Sequence, residues 1–168
     1  NLQSDINLYE ESLVSYKEAL GIRRKLAKDS PEHYLSDVSK TLNNLGILQF
    51  DMNLYEEALV FYQEALTILK KLANENPKRY LADVARTLNN LGLLQKNINQ
   101  YEEALFSYKE TLRIRKKLAE ENPKRYLSFI AETLNNLGLL QRDMNQYEQA
   151  LDSLKEATII RKKLVEEN

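Results

Sequence analysis

The sequence predicts an all-α protein built of tandem helix-turn-helix repeats, and three observations carry that expectation. The segment TLNNLG recurs at Thr41–Gly46, Thr87–Gly92 and Thr133–Gly138, 46 residues apart each time. The prolines Pro31, Pro77 and Pro123 keep the same interval, as do Tyr9, Tyr55, Tyr101 and Tyr147. Ala, Leu, Glu, Lys, Arg and Gln dominate the composition, whereas Gly (4 residues) and Pro (3) are scarce and periodic, which disfavours strands. A period between about 20 and 50 residues marks stacked supersecondary units that bury apolar surface only against their neighbours.

The elements follow from the period. Residues 1–30 read as the end of a preceding repeat, because Asn1 to Asn7 match Ile47 to Asn53, the close of one helix, and a second helix follows. Three repeats then occupy residues 31–76, 77–122 and 123–168, and the whole reads as a piece of a longer array. Each repeat opens with helix A, whose first turn starts at Pro, where a missing amide hydrogen costs nothing, behind a cap residue Ser30, Asn76 or Asn122. In the second repeat helix A runs from Pro77 to about Lys96, and the polar stretch Asn97 to Asn99 ends it. Helix B begins near Tyr101 and ends near Glu121, with Ala104, Leu105, Tyr108, Leu112, Ile114 and Leu118 at helical spacing. Acidic residues open helix B (Glu102, Glu103) and basic ones close it (Lys116, Lys117), complementing the helix dipole. Small residues recur where helices must approach: Gly46, Gly92 and Gly138 on helix A, Ala58, Ala104 and Ala150 on helix B. A mid-helix glycine costs up to about 1 kcal/mol relative to alanine, so its periodic use implies close packing.

Several functional classes find no support. With 24 basic and 25 acidic side chains the formal net charge is −1, which favours neither nucleic acid nor an anionic membrane. No cysteine is present, so the chain has no disulfide framework, thiolate nucleophile or thiolate metal site, in keeping with a cytoplasmic location. No apolar run approaches the roughly 20 residues of a membrane span. The single histidine, His33, stands where later copies have Arg79 and Arg125 and lacks partners for a metal site. No phosphate-binding glycine loop or nucleophile-base pair is recognisable, and the abundant carboxylates recur with the repeat as scaffold residues do. The expectation is therefore no enzyme activity and no cofactor.

Leu-x-x-Leu-Gly followed by Tyr-Glu-x-Ala-Leu, with Tyr and then Ala-Leu four and seven residues beyond the first Ala, resembles the tetratricopeptide repeat along the whole chain. Departures from the 34-residue pattern are Leu42, Leu88 and Leu134 in place of Trp, Gln49, Gln95 and Gln141 in place of the next aromatic, and a displaced proline. The twelve extra residues per repeat and the Leu-Asn-Asn-Leu run are similar to the long repeats of kinesin light chain. NPKRYLADVARTLNNLG also resembles bacterial arrays fused to signalling ATPases or caspase-like proteases. The resemblance implies a right-handed superhelical solenoid whose A helices line a concave groove that binds peptides or protein segments.

Residue angles of about 100° per position give an independent reading. With Leu88 at zero, Leu81, Val84, Ala85, Leu91, Gly92 and Gln95 face the core, while Asp83, Arg86, Asn89, Asn90 and Asn97 fall opposite with Leu93 among them. Ile47 and Leu139 repeat that apolar exception, Phe129 replaces Asp83, and Phe50 occupies the place of Lys96. The candidate groove therefore comprises Lys40, Asn43, Asn44, Ile47, Phe50, Arg86, Asn89, Asn90, Leu93, Asn97, Phe129, Glu132, Asn135, Asn136, Leu139 and Arg142. The paired amides can bond the main chain of an extended ligand, or one of each pair can bridge adjacent helices. Lys40, Arg86, Glu132 and Arg142 vary among copies and are candidates for ligand discrimination, but no carboxylate clamp stands out. A basic edge that includes Arg23, Lys70, Lys71, Lys78, Arg115 and Arg161 is interspersed with Glu75, Glu120 and Glu121 and reads as a solvated face. The function expected is a protein-protein interaction module. The alternatives are a structural or oligomerisation scaffold, with end-to-end association through Leu151, Leu154 and Ile159, and a regulatory segment of a larger signalling enzyme.

Overall fold

The computed structural model describes the backbone of residues 2–166 and the side chains of residues 8–166. Among the described residues there are seven helices and no strand: α1 Leu2–Asp29, α2 Pro31–Asp51, α3 Tyr55–Glu75, α4 Pro77–Asn97, α5 Tyr101–Glu121, α6 Pro123–Asp143 and α7 Tyr147–Glu166. The A helices are α2, α4 and α6, and the B helices α3, α5 and α7. The chain forms two compact units, Asn1–Tyr80 and Leu81–Asn168.

Each A helix ends in the same device. Asn53, Asn99 and Asn145 take φ of 60°, a left-handed conformation that asparagine tolerates better than most side chains. The amide of the following residue then bonds five residues back (Gln100 N to Gln95 O, 2.8 Å) and the asparagine amide bonds inside it (Asn99 N to Lys96 O, 3.1 Å), the Schellman pattern that satisfies orphan carbonyls. The first tyrosine of the B helix closes the turn, Tyr55, Tyr101 and Tyr147 each donating from Oη to that asparagine's Oδ1 at 2.7 to 2.8 Å. At the other junction, Asn76 and Asn122 cap the next A helix by accepting from the amides of Arg79 and Arg125 at 3.2 Å. Ser30 makes no such side-chain bond. Its ψ of 73° is far from the usual extended cap geometry, and only the longer asparagine side chain spans the gap.

At the amino end the structure departs from the expected helix A remnant, turn and helix B, because α1 runs unbroken across Asn7. Helix propagation prevails there over the left-handed conformation, which is costly for a residue other than glycine.

In the first unit α2 packs against both α1 and α3, burying Leu20, Val38, Leu42, Leu45 and Ala65 with Leu13, Tyr16, Phe61 and Ile68 around them. In the second unit α6 packs against both α5 and α7. One cluster there joins Ala104 and Tyr108 to Leu137 and Leu140, and another joins Ile130, Ala131 and Leu134 to Ala157. The repeating glycines mark the closest approaches. A Cβ on Gly46 would lie 2.6 Å from the Tyr62 ring, on Gly92 2.9 Å from the Tyr108 ring, and on Gly138 2.7 Å from Leu154. Gly21 has nothing within 4 Å and owes its place to no contact.

The glutamines Gln49, Gln95 and Gln141 are internal. Gln95 and Gln141 accept from Ser107 and Ser153 at 2.7 and 2.8 Å, tying helix A to its own helix B. In the first unit Phe61 stands in the serine's place, and Gln49 Oε1 is buried without a partner. Tyr108 Oη is likewise buried and unbonded, and burial raises the pKa of Tyr62 and of Tyr108 well above the ordinary phenol value, with Asp51 and Glu132 respectively adding to the effect.

Candidate functional site

In the second unit the face carrying the candidate residues is built by α4 and α6, which run side by side across α5. Two contacts fix them along this seam. Asn89 donates from Nδ2 to Glu132 Oε1 at 3.3 Å, and Lys96 meets Asp143 at 3.0 Å. Asp143 also receives Arg142 at 2.8 Å, and these two cations hold its carboxyl below the usual range, the hydrogen bond from Arg142 contributing most.

The apolar exceptions are where the helical angles put them. Ile47 and Leu93 are each 39 % exposed although their neighbours Gly46 and Leu48, Gly92 and Leu94, are buried. Leu139 is half-buried, and Phe129 is 44 % exposed. Arg86 is exposed and paired with Asp83 at 2.8 Å, while Lys40 is exposed beside Asp37 at 3.5 Å. Asn44 and Asn97 are exposed, and Asn90, Asn135 and Asn136 are half-buried. Phe50 packs against Tyr55 with ring centroids 5.6 Å apart. In the first unit Asn44 and Ile47 join Leu8, Tyr9 and Tyr16 around a shallow depression between α1 and α2.

Two of the candidate amides are not on this face. Asn43 is 1 % exposed and Asn89 5 %, with Asn89 Oδ1 buried and unbonded. Asn89 bridges to the neighbouring A helix, so the first amide of its pair holds helices together and the second, Asn90, keeps partial access. The angle of 100° from Leu88 places Asn89 on a flank, and α6 covers that flank.

Arg115 is the second correction. Read as part of a solvated basic edge, it is 6 % exposed and donates from Nη1 to Phe129 O and Thr133 Oγ1, both at 2.6 Å, and to Glu132 Oε2 at 3.4 Å. Desolvation lowers its pKa, and Glu132 opposes that shift. Its guanidinium also lies over the Phe129 ring, 5.3 Å from the centroid. Arg23 does the same in the first unit, donating to Thr41 Oγ1. The equivalent position in between is Leu69, itself buried. The signal present in the sequence was that Arg23 and Arg115 each stand 18 residues before the threonine of a TLNNLG segment, whereas Leu69 takes that place in the copy between them. The other bases on that edge are exposed and partly neutralised, as in Arg24 with Glu64 and Lys116 with Glu156.

Over Arg115, between α4 and α6, lies a cavity of about 180 Å³ with Asp83 and Arg86 on one wall, Arg125, Tyr126 and Phe129 on the other, and Leu118 below. Among the described residues no group of His, Cys, Asp and Glu could hold a metal ion, and no helix is long and apolar enough to cross a membrane.

Paired helices locked by a left-handed asparagine turn, recurring at a fixed period and each presenting a polar A-helix face interrupted by an exposed or half-buried apolar side chain, define a helical-repeat protein. Residues 37–117 and 130–168 match two family models, each described as tetratricopeptide repeat, and the chain belongs to that family. Among solved structures it is similar to BtubC (BKLC) from P. vanneervenii, with 25 % identity and a TM-score of 0.69 over 89 % of this chain and 58 % of that one. The apo form of RapI is similar in fold, with 21 % identity and a TM-score of 0.76 over 95 % of this chain and 52 % of that one. MamA MSR-1 C2 shares 17 % identity and a TM-score of 0.54, over 89 % of this chain and 69 % of that one. The chain thus spans little more than half the length of the first two. No curated relative matches the sequence significantly.

Proposed function

We propose that this chain is a protein-interaction module that holds an extended protein segment on the face formed by its A helices. The observation that carries the reading is the recurrence of a half-exposed apolar residue, Ile47, Leu93 and Leu139, at one repeat position whose neighbours are buried. Each is flanked by a partly accessible amide, Asn44, Asn90 or Asn136, able to donate to and accept from a main chain. Such pairs of apolar and amide side chains give affinity from apolar contact and from the ligand's backbone, while the copy-specific Lys40, Arg86 and Arg142 supply the differences that select among ligands.

The test is selection of binding segments from a displayed peptide library on the intact chain, followed by calorimetry on the best of them. Leu93→Asp should weaken binding at least about tenfold by placing a charge against an apolar contact, with an unchanged melt because the side chain is outside the core. Lys70→Glu with Lys71→Glu, on the basic edge, should change nothing. The opposite pattern would move the ligand to that edge and overturn the reading.

A second reading, self-association, is favoured by α7, where Leu151 and Ile159 are 52 % and 67 % exposed beside the half-buried Leu154. Light scattering at rising concentration, with Leu151→Lys and Ile159→Lys as the control, separates it from segment binding.

A further inference from the structure

The cavity between α4 and α6 has a chemistry that the rest of the A-helix face lacks. Its floor is the Arg115 guanidinium, 6 % exposed, whose three hydrogen bonds all leave from Nη1. Nε and Nη2 donate to nothing among the described residues, so a buried cation presents the free side of its fork to the cavity it lines. Arg86 and Arg125 stand on opposite walls; Arg86 is committed to Asp83, whereas Arg125 lies over the Tyr126 ring and has no acidic partner among the described residues. Three guanidiniums against the carboxylates of Asp83 and Glu132 leave one positive charge uncompensated. That balance suits a monoanion better than a phosphate dianion. Phe129 and Tyr126 add apolar walls for a short methylene stem.

The combination is peculiar to this place in the array. Where Arg115 stands, the previous copy has Leu69, and where Phe129 stands, earlier copies have Asp37 and Asp83. A scaffold role explains features that recur with the period; it does not explain a buried cation and an exposed aromatic that coincide at one seam beside a cavity.

We propose that this cavity receives a single glutamate side chain of the segment held on the A-helix face, its carboxylate taken by Arg115 and Arg125 and its methylenes lying against Phe129. The assignment rests on the segment-binding reading above and adds an acidic anchor to it. Bidentate pairing to guanidinium is among the strong hydrogen-bonded contacts available to a carboxylate, and a cation that is already desolvated forfeits little hydration on pairing.

The experiment is an NMR titration of the whole chain, labelled to report the arginine Nε–Hε groups and the Phe129 ring, with N-acetylglutamate amide as the probe. Saturable shifts of Arg115 and Phe129 are expected in the millimolar range usual for so small a ligand. The neutral glutamine counterpart should bind at least about tenfold more weakly, the difference between a charge-assisted and an ordinary hydrogen bond. Arg115→Leu should abolish the shifts with the fold retained, since Leu69 already fills the equivalent slot. Arg125→Gln, at an exposed position, should weaken them several-fold even if Arg115→Leu fails to fold. Equal binding of the glutamine compound would overturn the proposal, as would O-phosphoserine amide binding more than about tenfold tighter than the glutamate probe, which would reassign the cavity to phosphorylated side chains. Probe binding without any segment captured on the face sinks the segment reading alone; segment capture sensitive to Leu93→Asp but no response to the probe sinks the cavity assignment alone.

Discussion

Replacing a glycine by alanine inside a helix normally stabilises it by up to about 1 kcal/mol, and this chain contains a matched pair on which packing decides the sign. At Gly21 the added methyl meets nothing within 4 Å, so Gly21→Ala should stabilise by about 1 kcal/mol. At Gly92 the same methyl would lie 2.9, 3.0 and 3.2 Å from Cε1, Cδ1 and Cζ of Tyr108, a ring that is completely buried and has no room to yield. Overpacking of that kind costs about 1–3 kcal/mol, which offsets or exceeds the propensity gain. The difference between the two variants isolates the packing cost, because the propensity change is common to both. At this chain length each kcal/mol moves the melting midpoint by about 2–4 °C, so circular-dichroism melts resolve it. Gly92→Ala in a Tyr108→Ala background should recover most of the loss, since the ring that obstructs the methyl is gone. Equal shifts for Gly21→Ala and Gly92→Ala, or no coupling between positions 92 and 108, would refute the claim that Gly92 is there to admit the Tyr108 ring.

Gln49→Met should stabilise the chain, because it removes a buried amide oxygen that has no partner, whereas Gln95→Met should destabilise by about 1–3 kcal/mol by orphaning Ser107; denaturant melts of the two should shift in opposite directions. Asn99→Ala should cost about 1 kcal/mol or more through the left-handed turn and the lost Tyr101 bond, and Asn99→Gly should cost less; the same melts rank them. Tyr62 and Tyr108 have pKa values raised in the folded state, so their stabilising contribution is complete below the unfolded phenol value near 10 and is lost as pH climbs beyond it, at about 1.4 kcal/mol per pH unit for each. Ultraviolet titration should therefore show Tyr62 and Tyr108 ionising only with alkaline unfolding, and ionisation of both in a folded chain would contradict their burial.

The period, the helix boundaries and the core faces were legible because they rest on local chemistry: proline at a helix start, asparagine at its end, leucines at helical spacing. Ile47 and Leu93 were legible as exposed for the same reason. What a single helix's periodicity does not report is how far its neighbours wrap around it. Asn89 lies only 100° from the core-facing Leu88, and whether that flank meets solvent or another A helix depends on a partner more than 40 residues away, Glu132. Arg115 escaped notice because charge is a poor guide to burial when a threonine hydroxyl and a backbone carbonyl wait at the far end of the side chain. The cavity over it combines residues from three helices, none of which is unusual alone. At Asn7 a segment that matches the turn elsewhere stays helical, so the turn residues alone do not impose the left-handed conformation.

Every bond that closes the A-to-B turn, from the left-handed asparagine through the two amide contacts to the tyrosine hydroxyl, is made between residues no more than five positions apart. A duplication or deletion of one whole 46-residue stretch therefore carries a complete corner with it and asks no distant residue to change. Recombination between near-identical copies can lengthen or shorten such an array without spoiling a turn, leaving selection free to act on the few seam positions, such as 69 and 115 or 83 and 129, where the copies already differ.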